Sequence, residues 1–140
     1  MPHDPRQTRI FLAEDDRNIV DLVTTRLELA GYAAAYARDG WEALSGIHST
    51  RPAAIILDVN MPRLDGFGVL RHLRNSPIVA RIPVMMLTAR NSPEDVREAL
   101  NLGARDFLAK PFCDATLLAR VARLLRPPRP QGPPATLLPC

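Results

Sequence analysis

The sequence predicts an α/β protein built on a doubly wound, five-stranded parallel sheet. Two observations indicate this fold: short apolar runs alternate with amphipathic stretches, and the runs are apolar on both faces. Strands that are covered by helices on both sides have this character. The length of 140 residues fits one domain. Five strands alternating with five helices therefore favour a three-layer sandwich.

The apolar runs are the predicted strands. They are Arg9–Ala13, Ala33–Ala37, Ala53–Leu57, Pro83–Leu87 and Asp106–Ala109. None approaches the roughly 18 apolar residues that a membrane helix needs. The polar start MPHDPRQTR has no apolar core, which excludes a secretory signal. We therefore expect a cytoplasmic protein without membrane contact.

The stretches between the runs predict helices with clear start or stop signals. An apolar face in the first helix ends at Gly31, a residue that commonly terminates helices. Asp39 is the expected cap of a second helix that ends near Ser49, and a third helix is predicted from about Phe67 to Arg74.

The last two helices begin with polar capping residues. Ser92 supplies a capping hydroxyl, Pro93 fits the first helical position, and the fourth helix ends at Gly103. Asp114 is predicted to cap the fifth helix, which carries an apolar stripe of leucines and a valine.

The two ends of the chain differ in composition from the predicted domain. We expect residues 1–8 to be a disordered lead and residues 9–126 to form the domain. The final RPPRPQGPPATLLPC holds six prolines in fifteen residues. Such composition favours a disordered tail or linker over residues 127–140, with a docking motif for a proline-reading domain as the alternative.

Charge and sulfur content exclude several classes of function. The formal net charge is only +3, and the arginines are scattered, so direct binding of nucleic acid by this chain is not expected. Cys113 and Cys140 belong to no CxxC or Cys/His cluster, so two unpaired thiols are favoured over a zinc site. Of 18 basic residues only Lys110 is a lysine. A compact ammonium differs from a planar guanidinium, which suggests a specific use.

Polar residues follow four of the predicted strands. Because open parallel sheets bind ligands at the carboxyl ends of their strands, these side chains should converge. They are Glu14, Asp15 and Asp16 after the first strand, Asp58 after the third, Thr88 after the fourth and Lys110 after the fifth. Carboxylates without His or Cys nearby suit Mg²⁺, and a lysine and a hydroxyl suit phosphoryl oxygens. The set favours phosphoryl transfer onto Asp58.

Four motifs in order resemble the receiver domain of response regulators in two-component signalling. They are EDD, LDVNMPRLDG, LTAR and DFLAKPF, and the resemblance covers about Arg9 to Leu125. It implies a chemotaxis-regulator-like fold, which is a flavodoxin-like (βα)5 sandwich. Asp65-Gly66 is interpreted structurally, as a turn in which Gly66 takes a positive φ.

The resemblance assigns roles around the predicted phosphoacceptor. Asp58 would take a phosphoryl group from the phosphohistidine of a sensor histidine kinase or of a histidine phosphotransfer domain. Asp15 would ligate Mg²⁺ directly, Glu14 through water, and Asn60 through its backbone carbonyl, with Asp58 completing the metal ligands.

The resemblance also implies a switch. Thr88 and Lys110 would contact phosphoryl oxygens, and the Lys110-Pro111 bond should be cis. Phe107 holds the position of the family's switch aromatic. Movement of Thr88 and Phe107 would remodel the face made by the fourth helix, fifth strand and fifth helix. That face would bind a downstream partner or output domain, or form a homodimer on phosphorylation.

Kinase docking is expected around the first helix, at Asn18, Ile19 and Leu22. Apart from self-catalysed phosphotransfer and slow autodephosphorylation, which Asn60 and Arg90 would tune, the chain should not be an enzyme. The leading alternative is a receiver from a longer winged-helix DNA-binding regulator. An aspartyl-nucleophile phosphatase is less favoured, since Asn60 replaces the second acid that it needs.

Overall fold

The structure, a computed structural model, describes residues 7–89 and 92–126 of the chain. Within these ranges strands and helices alternate. The strands are β1 (Arg9–Ala13), β2 (Ala33–Ala37), β3 (Ala54–Asp58), β4 (Val84–Thr88) and β5 (Asp106–Ala109). The helices are α1 (Arg17–Leu29), α2 (Gly40–Thr50), α3 (Gly66–Arg74), α4 (Pro93–Asn101) and α5 (Asp114–Leu124). β3 and β4 lie one residue further along than predicted, so each includes the polar residue at its end.

The sheet has the strand order β2-β1-β3-β4-β5, and every neighbouring pair is parallel. The chain first adds β2 on one side of β1 and then crosses over to add β3 on the other side. The winding therefore reverses between β1 and β3. Open α/β sheets bind ligands at the carboxyl ends of the strands at such a reversal. The predicted fold class, a doubly wound parallel sheet, is confirmed.

Two buried layers lie on opposite faces of the sheet, because successive residues of a strand point to opposite sides. Phe11 and Ile55 pack with side chains of α2, α3 and α4. Leu12 and Ile56, each one residue further along, pack with α1 and α5. The central strands are thus apolar on both sides, which is the pattern that indicated a three-layer sandwich.

Most predicted helix starts are confirmed, with one correction. The carboxylate of Asp39 and the hydroxyl of Ser92 accept backbone hydrogen bonds as N-caps of α2 and α4. The prediction that Asp114 caps α5 is wrong, because the cap position is held by Cys113, which makes no capping bond. Asp114 is the first helical residue, and its carboxylate instead pairs with Arg26 of α1 at 2.6 Å. That pair links the two helices on one face of the sheet.

Three predictions about the chain as a whole concern its cysteines, its two ends and membrane contact. The expected unpaired thiol is wrong for Cys113, which is disulfide-bonded, and no described cysteine is free. Cys140, the predicted tail 127–140 and residues 1–6 of the predicted lead lie outside the described residues. No helix in the described ranges is both long and apolar enough to cross a membrane.

Candidate functional site

Polar side chains are buried at the edge of the sheet where the strands end. Glu14 follows β1 and is 1% exposed, Asp58 ends β3 and is 3% exposed, and Thr88 ends β4 and is fully buried. Lys110 follows β5, and its ammonium lies 2.7 Å from Glu14 Oε1 and 3.5 Å from Asp58 Oδ1. The structure therefore brings these four predicted residues to one edge, which we call the carboxyl edge.

The turn after β3 fixes Asp58 at that edge. The amide of Val59 donates to Leu87 O of β4, and the amide of Gly66 donates back to Val59 O. A Cβ at residue 66 would lie 2.2 Å from Asp58 O, so only glycine lets the start of α3 approach the strand end this closely. The prediction that Gly66 takes a positive φ is wrong. The positive φ of this loop belongs to Arg63.

Burial and neighbouring charge change the proton affinity of Asp58. Its pKa is raised to about 7, first by burial and then by the negative charge of Glu14, while Lys110 opposes the shift. Burial by itself lowers the pKa of Lys110, but the two carboxylates raise it above its ordinary value. The carboxyl edge thus holds two acids that repel each other and one ammonium between them.

The charges of the carboxyl edge suit a divalent cation, although the described side chains do not form a complete set of ligands. Glu14 Oε1 is buried and receives no hydrogen bond in good geometry from the described residues, although it pairs with Lys110. A hard cation would satisfy that oxygen and relieve the repulsion with Asp58. Asp15 is exposed. No group of three or more acidic, His or Cys side chains gathers closely enough for a metal among the described residues. Glu14 and Asp58 are therefore brought together, and Asp15 is not grouped with them.

Asn60 is the other predicted metal residue, and it lies at the mouth of the edge. It is exposed two residues after β3 ends. Its backbone N–H donates to the Asp58 carboxylate and so favours the ionised form. The loop position is compatible with the predicted use of its carbonyl oxygen.

Arg38, which no sequence motif indicated, ties the first acidic loop to the end of β2. Its Nε and Nη2 each donate to Asp15 O at 3.2 Å. The same loop is held by the Glu14 amide on Ala37 O at 3.0 Å and by the Asp16 amide on Glu14 Oε2 at 3.0 Å. Because the acceptor of Arg38 is a backbone carbonyl, no motif could have indicated this contact.

The predicted switch residues lie on β4 and β5. The amide of Lys110 donates to Thr88 O at 2.8 Å, which aligns the ends of the two strands. Phe107 pairs in register with Met86 and packs, partly buried, against the core between the sheet and α2–α4. The Lys110-Pro111 bond is cis, which confirms that prediction. Arg90 lies outside the described residues.

The predicted docking residues surround the start of α1. Asn18 is exposed, Ile19 is half-buried against the α1–α5 core, and Leu22 is 38% exposed. Asp16 caps this helix by accepting from the Asn18 amide at 2.8 Å. The helix therefore starts directly after the acidic loop, and a partner bound on it would lie beside the carboxyl edge.

The fold and this edge define the class of the protein. The family described as the response regulator receiver domain matches residues 10–122, and the chain belongs to that family. It is a receiver domain of a two-component response regulator, as the four motifs predicted.

Its relatives include full-length regulators. The response regulator MprA of Mycobacterium avium is 44% identical over 123 residues, which are 88% of this chain and 53% of that protein. MprA of Mycobacterium tuberculosis has the same identity and coverage. The chain thus spans about half the length of the curated relatives that it matches.

Solved structures give the same class. The chemotaxis protein CheY4 of Vibrio cholerae superimposes with a TM-score of 0.82 at 36% identity, over 85% of this chain and 99% of that one. The receiver domain of sensor histidine kinase PA1611 from Pseudomonas aeruginosa, with a magnesium ion in its active-site cleft, gives 0.79 at 31% identity, over 85% and 98%.

Proposed function

We propose that this receiver domain accepts a phosphoryl group on Asp58 from the phosphohistidine of a sensor histidine kinase or histidine phosphotransfer domain. One observation carries the proposal. Asp58 is a buried carboxylate at the winding reversal of the sheet, held beside Glu14 and 3.5 Å from the Lys110 ammonium. A carboxylate with so little water around it is costly to keep ionised unless a cation and a reacting phosphoryl group share the site.

The transfer exchanges one bond to phosphorus for another. A carboxylate oxygen of Asp58 forms a bond to phosphorus, and the bond from phosphorus to the histidine ring nitrogen breaks. The electron pair stays on that nitrogen, which takes a proton from solvent. Lys110 and the Thr88 hydroxyl stabilise the charge that spreads over the other phosphoryl oxygens, which is the main source of catalysis in such transfers.

The proposed metal is Mg²⁺, held by Glu14, Asp15, Asp58 and the Asn60 carbonyl. When bound, it supplies positive charge between the acids and the incoming phosphoryl oxygens. Support comes from the burial of the Glu14 carboxylate beside Asp58 and from the magnesium ion in the PA1611 receiver domain. Binding would also use the exposed Asp15 carboxylate, and the bonds from Arg38 to the backbone carbonyl of Asp15 hold this part of the loop.

The phosphorylated state would be read on the face of α4, β5 and α5. A phosphoryl group adds nearly two negative charges, and Thr88 would follow the new oxygens while Phe107 occupies the space left behind. Such a switch biases two existing states by a few kcal/mol. The face would bind a downstream partner or an output domain, or join two copies on phosphorylation.

The length of the relatives favours one alternative for the whole protein. Because the chain spans about half of MprA, residues 9–126 would be the receiver and residues 127–140 the start of a linker to an output domain. The predicted winged-helix DNA-binding regulator fits that length.

An aspartyl phosphatase is disfavoured, since Asn60 stands where a general acid is needed. Slow loss of the phosphoryl group, tuned at Asn60 and Arg90, would be the only turnover, and the cytoplasm would be its location.

The test is the intact mass of the protein after incubation with acetyl phosphate, with and without Mg²⁺. We expect one added phosphoryl group that requires Mg²⁺, is absent in Asp58→Asn and is retained in Asp21→Asn, a matched change at an exposed aspartate of α1. No addition to the folded wild-type protein, or an equal addition to Asp58→Asn, would contradict the proposal.

A further inference from the structure

Three arginines line a recess at the opposite, amino edge of the sheet. The recess has a volume of about 360 Å³ and lies beside Pro83, just before β4, and Arg105, just before β5. Arg74 from the end of α3 and Arg81 from the following loop complete the set of guanidinium groups. No acidic side chain of the described residues lines it.

Three backbone carbonyls accept hydrogen bonds from Arg74 in this recess. Its Nε donates to Leu102 O at 2.7 Å, Nη1 donates to Ala80 O at 2.6 Å, and Nη2 donates to Gly103 O. Gly103 has a φ of +91°, and a Cβ there would lie 2.3 Å from Arg74 Nη2, so the guanidinium rests directly on the glycine. Three of its five N–H groups are used, but none of the carboxylates in the described part of the chain pairs with it.

The other two guanidinium groups have spare donors. Arg81 is exposed and makes no hydrogen bond or ion pair within the described ranges. In the same ranges, the Arg105 guanidinium makes only long contacts of 3.5 Å, to Leu124 O and Arg126 O at the end of α5. The recess therefore combines one cation that is already bonded to backbone carbonyls with two that are available to a ligand.

The acids closest in sequence to the recess are already paired elsewhere. Asp106 accepts from Arg120 at 2.6 Å and lies 3.8 Å from Arg123, on the α5 side of β5. Glu98 of α4 pairs with Arg71 at 2.6 Å. These acids are therefore engaged outside the recess, and the positive charge of its three arginines is left for a ligand.

We propose that this amino-edge recess binds a compact diphosphate anion. Guanidinium groups present planar pairs of donors that match phosphate oxygens, and bonds between two charged partners are stronger than neutral ones. Three cations around one recess suit a ligand with more than one negative charge, and the volume exceeds that of a diphosphate group. The diphosphate could be free pyrophosphate or part of a nucleotide, because the two share the group that the arginines contact.

The test is isothermal titration of the intact chain with sodium pyrophosphate and, separately, with ADP, in buffer without divalent cations. We expect saturable binding that Arg81→Gln and Arg105→Gln each weaken by about fivefold or more. Arg97→Gln removes the same charge from an exposed position of α4 outside the recess and should change the affinity less than about twofold. Amide NMR shifts should centre on Gly103 and Ala80 in the wild-type protein.

Each outcome decides a separate point. Equal affinity for pyrophosphate and ADP would assign recognition to the diphosphate alone, and tighter binding of ADP would assign a nucleotide source. Absence of saturable binding to both would overturn the proposal. Equal weakening by Arg97→Gln would also overturn it, because general attraction to a basic protein would then be sufficient. Shifts centred on Lys110 would place the anion at the carboxyl edge and exclude the recess.

Discussion

The carboxyl and amino edges of the same sheet hold charge in opposite ways. At the carboxyl edge, Glu14 and Asp58 are buried beside Lys110, and the pKa of Asp58 rises to about 7. At the amino edge, Arg74 and Arg105 donate to backbone carbonyls, and all three arginines are exposed. Water weakens the electrostatic interaction between exposed charges, whereas buried charges interact more strongly. Burial, rather than the number of charges, therefore distinguishes the two edges, and it is the basis on which we propose that the carboxyl edge reacts.

The two edges also differ in what their glycines make room for. Gly66 lets the backbone of α3 approach Asp58 O, whereas Gly103 makes room for the flexible end of the Arg74 side chain. A backbone atom cannot move aside without disturbing the strand that carries Asp58. A guanidinium group can.

The largest effect that we expect comes from comparing these two glycines. Gly66→Ala should lower the free energy of unfolding by about 3–5 kcal/mol, because the new methyl group meets backbone at 2.2 Å. Gly103→Ala should cost only about 1–2 kcal/mol, for its positive φ and a shift of Arg74. Urea unfolding of both variants measures the difference. Equal losses would mean that the two edges are packed alike.

The next effect concerns the pH dependence of stability at the carboxyl edge. The pKa of Asp58 is raised from 3.8 to about 7 in the folded state, so the folded protein binds this proton more tightly than the unfolded chain does. Its stabilising contribution is complete below about pH 4 and is lost as the pH rises through about 7.

Asp58→Asn removes that ionisation and should therefore stabilise the protein at pH 8 by about 2 kcal/mol, with little change at pH 4. Thermal or urea unfolding at both values measures this. Asp21→Asn, at an exposed site, should show no such pH dependence. If Asp58→Asn is no more stable than the wild type at pH 8, Asp58 is not the strained group that the geometry indicates.

The smallest effect concerns Arg38. Its two bonds to Asp15 O should help to hold Asp15 where Mg²⁺ needs it. Arg38→Ala should weaken Mg²⁺ binding by about threefold to fivefold, and Arg38→Lys should recover only part of this, since an ammonium cannot make the paired contact. Calorimetric titration with Mg²⁺ measures the affinity.

Arg17→Ala, at an exposed residue next to the acidic loop, is the matched control. It removes a positive charge that makes no hydrogen bond or ion pair with the loop in the described ranges, and it should leave Mg²⁺ binding equal or slightly tighter. If Arg38→Ala also tightens binding, the residue acts through its charge and does not position Asp15.

The sequence could predict most of the carboxyl edge. Strand positions followed from apolar runs to within one residue, and the rule that ligands bind at strand ends then selected Glu14, Asp58, Thr88 and Lys110. That rule depends only on chain order and polarity, and both can be read from the sequence.

Contacts to backbone atoms could not be predicted in the same way. Arg38 and Arg74 donate to carbonyl groups, which every residue carries and no motif marks. The predicted cap of α5 was one residue too late, because Asp114 lies inside the helix and its carboxylate forms an ion pair with α1. The grouping of Asp15 likewise depends on side-chain direction, which residue order does not determine.

The central claim is that burial at the carboxyl edge makes Asp58, among several nearby acids, the phosphoacceptor. The most direct measurement is to phosphorylate the protein, reduce the acyl phosphate with borohydride, and locate the altered residue by tandem mass spectrometry. We predict modification at Asp58 alone. Modification at the exposed Asp15 or Asp16, with Asp58 intact, would contradict the claim, because exposure and not burial would then select the reactive acid.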